Sequence, residues 1–193
     1  MPGNLGSPVQ KIEPTGSWSD LMLPADSITQ LRAICQSMQH RPDIHDEKGS
    51  RATGIAVLFG GPSEPGKTTA AEVLANELNR DLYRIDLSKV ISKYIGETEK
   101  NLDKIFRTAA ETEAILLFDE ADALFGKRSD VRDSHDRYAN IEVGYLTQRM
   151  EMHSGIVILA TNTYEDLDPA RLPQIAYMVN FPMPASSSPS EIA

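Results

Sequence analysis

Short apolar runs alternate with longer amphipathic stretches along this chain, and that alternation predicts its architecture. The runs at 55–59 (IAVLF), 114–118 (AILLF) and 156–161 (IVILAT) are continuously apolar, the pattern of strands covered on both faces of a parallel sheet. Residues 82–86 (LYRID) and 177–181 (YMVNF) read as two further strands. Between the strands, Leu102, Ile105, Phe106 and Ala109 recur at i, i+3, i+4 and i+7, which gathers them on one face of a helix. Ala70, Val73, Leu74 and Leu78 define a second stripe. Ile28, Leu31, Cys35 and Met38 define a third ahead of the first strand, with Asp26 or Ser27 placed to cap it. Strand and helix in alternation predict an α/β fold, a doubly wound parallel sheet of five strands. Residues 1–17, rich in Pro, Gly and Ser, predict a disordered, mobile lead-in, and 185–193 (ASSSPSEIA) a similar tail. Residues 18–184 form the core between them.

At 193 residues the chain can bury one core. Its 19 Lys+Arg against 28 Asp+Glu give a net charge of −9, which argues against a surface built to neutralise phosphate backbones. No nucleic-acid partner is expected. A single cysteine, Cys35, excludes an internal disulfide framework or a cysteine zinc cluster, and its place on an apolar stripe suits core packing. The apolar runs are far too short to span a bilayer, and the first twenty residues hold no basic start followed by an apolar stretch. A cytoplasmic protein with no membrane association is the expectation. His40, His45, His135 and His153 lack metal-ligand spacing and read as surface or loop residues.

Chemistry enters where the first predicted strand ends. Gly61, Gly66, Lys67 and Thr68 fit G-x-x-x-x-G-K-[ST] between a strand and a helix, with Pro62, Ser63, Glu64 and Pro65 in the variable positions and Thr69 next. Such a loop turns backbone N–H groups and a helix N-terminus toward phosphate. Lys67 places a charge between the β- and γ-phosphates, and the Thr68 hydroxyl ligates Mg²⁺. Two residues work against this. Pro65 has no N–H to donate, and Glu64 adds a negative charge near a site meant for anions, so an ATP site of reduced affinity is expected. The strand at 114–118 ends in Asp119-Glu120. Asp119 is positioned to hold Mg²⁺, and Glu120 to polarise the attacking water. Asn162, after the strand at 156–161, sets an amide at the mouth of the same sheet, where it could orient that water.

The phosphate loop, LLFDEAD, ATN after the next strand and LDPA at 167–170 stand in the order seen in AAA+ ATPases, which the chain resembles over 18–184. SKYIGETEKNL at 92–102 is similar to the AAA branch of proteasomal, katanin-like and spastin-like ATPases, and especially to bacterial single-module members. The resemblance implies the large α/β subdomain of a P-loop NTPase. It implies ATP and Mg²⁺ at Lys67, Thr68 and Asp119, Glu120 as catalytic base and Asn162 as sensor. It also implies a pore loop, Tyr94-Ile95-Gly96, that grips an unfolded protein substrate in a homo- or hetero-oligomeric ring. The charged run 126–137 would lie toward a second pore loop and the subunit interface.

The departures from that family are specific. Two arginines that reach a neighbouring subunit's site in relatives are here Pro173 and Ala176, and Arg171 stands two residues early. Relatives carry a helical lid after the strand matching 177–181; here thirteen residues follow Asn180 without a helix pattern. Together these imply an ATPase core with weak turnover alone. The alternative is a degenerate nucleotide-binding interaction module that assembles with complete AAA partners. The letters DEAD at 119–122 are a coincidence with a helicase motif, since those enzymes need two tandem domains. The lid and substrate arginines of a P-loop kinase are not recognisable.

Overall fold

The structure is a computed structural model that describes residues 8–40, 54–91, 96–127 and 134–184, the backbone alone within 134–141. Six strands form one sheet: β1 Val9–Ile12, β2 Ile55–Gly60, β3 Leu82–Asp86, β4 Ile115–Asp119, β5 Ile156–Thr161 and β6 Tyr177–Asn180. Their order across the sheet is β1-β3-β4-β5-β2-β6. Strands β2 to β6 are mutually parallel, and β1 runs antiparallel to β3.

The α/β expectation holds, with a correction: the sheet has six strands, because part of the expected lead-in is β1. Four residues are too few to display an alternation, and β1 is recruited chiefly by backbone pairing with β3. The Asp86 N–H donates to Pro8 O at 2.9 Å, and Lys11 meets Asp81 at 3.5 Å.

The helices are α1 Ala25–Gln39, α2 Glu64–Leu78, α3 Leu87–Val90, α4 Glu97–Thr112, α5 Asp122–Phe125 and α6 Ser134–Met152. Two core layers explain the continuously apolar strands. Val57, Phe59, Ile115, Leu117 and Ile158 face α1 and α2, where they meet Leu31, Ile34, Ala70 and Leu74. Their neighbours Leu58, Leu116, Phe118 and Leu159 face the other layer, with Leu102 and Phe106 of α4, Phe125 of α5 and Leu146 of α6. Each large side chain buried this way stabilises the fold by about 1.5–3 kcal/mol.

Helix α1 is not capped by Asp26 or Ser27. It starts at Ala25 behind Pro24, whose ring fixes the extended entry, so both residues lie within the first turn. There the Ser27 hydroxyl donates to Asn180 O at 2.8 Å and docks α1 onto β6. The C-terminal ends of β2, β4 and β5 share one edge of the sheet. The chain leaves β2 for α2 on one face and β4 for α5 on the other, which is where open α/β sheets form their crevice.

Candidate functional site

Two glycines carry the chain out of β2. A Cβ on Gly60 would lie 2.3 Å from the ring of Tyr164, whose hydroxyl donates to Val179 O at 2.6 Å. Gly61 sits at φ +137°, and a Cβ there would lie 2.1 Å from Phe181 O. Neither position admits a side chain. Beyond them the loop is pinned to its neighbours, Gly61 N–H to Thr161 O at 3.1 Å and Ser63 N–H to Phe181 O at 3.4 Å. Helix α2 begins at Glu64, so Pro65 falls in the first turn, where an N–H has no intrahelical acceptor. The fold therefore tolerates Pro65, while the loop still lacks that donor.

Lys67 is 2% exposed. Its ammonium donates to Gly61 O at 2.7 Å, Thr161 O at 2.8 Å and Asn162 Oδ1 at 3.2 Å. Loop, β5 and the expected sensor amide thus converge on one cation. Burial pulls the Lys67 pKa down, and the charges of Asp119, Glu64, Glu120 and Asp122 oppose that fall. Thr68 Oγ1 approaches Glu64 O at 3.5 Å, and Thr69 Oγ1 donates to Pro65 O at 2.8 Å. Pro62, Ser63, Glu64, Pro65 and Asn162 line a shallow depression of about 510 Å³ beside Met183 and Pro184. The Glu64 side chain is exposed, yet its charge acts on both Lys67 and Glu120.

At the end of β4, Asp119 Oδ1 accepts the Glu120 N–H at 3.0 Å. Its Oδ2 accepts two N–H groups of Arg84 on β3, Nε at 3.1 Å and Nη2 at 2.5 Å. Arg84 is a residue that sequence reasoning missed. Parallel register sets Arg84 opposite Leu117, two residues before Asp119 and hence on its face of the sheet. The available signal was a lone cation inside the apolar frame LYRID. Glu120 takes φ +57°, a conformation that L-residues with side chains adopt rarely and that concentrates at functional positions. The Ala121 N–H, bonded to Ala160 O at 3.0 Å, ties this turn to β5. Burial first, then the charges of Asp119, Asp122, Asp86 and Glu64, push the Glu120 carboxyl above its ordinary 4.5.

The donor chemistry suits Mg²⁺ and a nucleotide phosphate. Thr68 and Asp119 offer hard oxygens, and Asp119 already attracts a cationic group. The first turn of α2 and Lys67 supply the positive field an anion needs. No group of three or more His, Cys, Asp and Glu gathers to hold a metal among the described residues. A metal here would rest on a carboxylate, a hydroxyl, water and phosphate.

Other expected residues lie apart or out of view. Tyr94 and Ile95 fall outside the described residues, as do 128–133 of the charged run. Gly96 is described, at φ +79° ahead of α4, with open space where a Cβ would stand. Arg171 is turned back onto Asp168, Nε to Oδ2 at 3.4 Å, with its side chain 19% exposed. Pro173 is buried, while Ala176 is exposed and bonds its N–H to Ala56 O at 2.9 Å. His153 is no surface residue. It is buried, with Nε2 donating to Ala114 O at 2.8 Å. Cys35 packs in the core as expected, and burial pushes its thiol up to about 11.

A glycine loop and lysine between β2 and α2, with Asp119-Glu120 at the end of β4 two strands over in the same parallel sheet, define a P-loop NTPase fold. The family model described as "ATPase family associated with various cellular activities (AAA)" matches residues 57–183, and the chain belongs to that family. It is 33% identical over 166 residues to an uncharacterised AAA family ATPase of Sinorhizobium fredii, covering 84% of this chain and 48% of the relative. It is 30% identical over 185 residues to a 26S proteasome regulatory subunit 4 homolog of Dictyostelium discoideum, covering 91% of this chain and 42% of the relative. A ribosome biogenesis ATPase of Saccharomyces cerevisiae is 34% identical over 142 residues, 72% of this chain and 17% of the relative. The chain thus spans about half the length of these curated relatives or less. No helix among the described residues is long and apolar enough to cross a membrane.

Proposed function

We propose that this chain binds ATP–Mg²⁺ and serves as the hydrolytic core of a protein-remodelling AAA ring subunit, slow in turnover on its own. The observation that carries the reading is the convergence on Lys67: loop carbonyl, β5 carbonyl and Asn162 amide bind it, and Asp119 and Glu120 lie within its field. The Lys67 ammonium balances phosphate charge, and the first turn of α2 orients the phosphates. Thr68 and Asp119 hold Mg²⁺, which, when bound, draws charge from the phosphoryl oxygens. Glu120 accepts a proton from the attacking water while Asn162 fixes that water's direction. Tyr94, Ile95 and Gly96 would grip the protein substrate. The acidic net charge favours protein over nucleic acid as partner, and the cytoplasm is the proposed location.

A second reading, a nucleotide-binding subunit that leaves turnover to AAA partners, draws on Pro173 and Ala176, where the family resemblance implies arginines, and on Arg171 held by Asp168. Calorimetry of ATP–Mg²⁺ on wild type and on Glu64→Gly/Pro65→Thr tests the shared premise. Binding in the wild type, tightened by roughly tenfold in the variant as one repulsive charge is removed and one N–H restored, is the expected outcome. Silence in both removes the nucleotide reading.

A further inference from the structure

Arg84 has no part in the reading above, yet it engages the carboxylate on which that reading depends. We propose that Arg84 is the resident counter-cation of Asp119, that a divalent metal must displace it to engage Oδ2, and that Arg84 therefore holds down the site's metal affinity. The inference rests on the proposed role of Asp119 as metal carboxylate.

Three observations lead there. Both Asp119 oxygens are engaged, Oδ2 by Nε and Nη2 of Arg84 and Oδ1 by the Glu120 N–H. The guanidinium fills Oδ2, and Oδ1 keeps one lone pair beside the Glu120 N–H, so a metal or its water can take Oδ2 only by displacing Arg84 and otherwise shares the carboxylate with a cation. Register fixes the encounter, because the β3–β4 pairing keeps Arg84 on the same face as Asp119 with two residues of offset. Exposure makes exchange feasible: the Arg84 side chain is 40% exposed and that of Asp119 16%. The guanidinium can swing into water while the carboxylate stays. A pair this open is weakly held, so a doubly charged ion of higher charge density can replace it. Arg84 is the cation paired with the carboxylate at the end of β4, where other acids crowd. Asp86, Asp119 and Asp122 all act on Glu120, and Lys67 is already committed to three oxygen acceptors.

Mn²⁺, read by water-proton relaxation on the full chain first alone and then with inorganic pyrophosphate to complete its ligands, is the direct probe. Arg84→Gln is expected to bind Mn²⁺ about tenfold more tightly than wild type, and the gain is expected to vanish in Arg84→Gln/Asp119→Asn. Circular dichroism checks the fold of each variant. If Arg84→Gln does not fold, Arg84→Met decides. It keeps an apolar stem and removes the cation, so it too must bind Mn²⁺ more tightly than wild type. Equal Mn²⁺ affinity in wild type and the folded Arg84 variant, no Mn²⁺ binding in either, or a gain that survives Asp119→Asn overturns the proposal. ATP titrated into the same samples separates the two readings, since tighter Mn²⁺ binding with no nucleotide binding keeps this inference and removes the other.

Discussion

Glu120 sits in a backbone conformation, φ +57°, that its side chain does nothing to favour, among carboxylates that resist its ionisation. A carboxyl whose pKa rises on folding binds its proton more tightly in the folded chain. Its contribution to stability is therefore greatest at low pH and declines as pH rises from 4.5 through the folded value. Glu120→Gln should melt above wild type at pH 7, with the difference shrinking toward pH 4. Carboxyl ¹³C NMR should place the wild-type Glu120 midpoint above 4.5, and Asp122→Asn should draw it back, because a neighbouring negative charge is gone. An unshifted midpoint in wild type would show that the turn is too well solvated for these charges to matter. At this scale the proposed site residues could be picked out in the sequence because a phosphate loop restricts residue types and spacing. Arg84 could not, since its role depends on which strand lies beside β4.

His153 closes α6 onto the start of β4, and the element depends on which ring nitrogen carries hydrogen. Nε2–H donates to Ala114 O, while Nδ1 is buried with no hydrogen-bond partner among the described residues. Protonation would place a charge and a donor at buried Nδ1; the bond to Ala114 and the Glu113 charge favour it, and the Arg149 charge opposes it. Burial is the leading cause that lowers the His153 pKa below 6.5. The folded chain then binds fewer protons than the unfolded one, so stability is lost as pH falls below about 6.5 toward the folded value. Thermal melts from pH 7.5 to 5.5 should fall more steeply in wild type than in His153→Gln, whose amide can still donate to Ala114 O without titrating. Parallel slopes would locate the acid sensitivity elsewhere. The same scale separates what patterning reveals from what it hides. Strands buried on both faces announce themselves, because every residue must be apolar. β1 does not, because backbone pairing at a sheet edge leaves no mark on four side chains. Ser27 looked like a cap because sequence shows the hydroxyl but not β6 beside it.

At the scale of the whole molecule, the open question is whether one copy completes another's site. Arg171 cannot reach outward while Asp168 holds it, and Pro173 is buried, so an arginine there would have to break the packing before β6. Ala176 is exposed, and only its backbone is committed, through the bond to Ala56 O. It is therefore the position from which an arginine could be restored without disturbing the sheet. A subunit carrying Ala176→Arg together with Glu120→Gln offers the arginine but lacks its own proposed base. Wild type keeps the base and lacks the arginine. If copies assemble as AAA ring neighbours, mixing the two should raise ATP turnover roughly tenfold or more above either alone, since an arginine finger acts in trans on the transferred phosphate. The net charge of −9 opposes self-association, so the mixture should be assayed near physiological salt, where that repulsion is screened beyond about 8 Å. Sedimentation in the same buffer reports assembly independently of rate. Assembly without a gain would mean that copies meet through another surface and favour the module that borrows turnover from its partners. A gain would place each copy's β6 entrance at its neighbour's phosphate loop and show that the missing arginine, rather than the loop defects at Glu64 and Pro65, limits the wild-type rate.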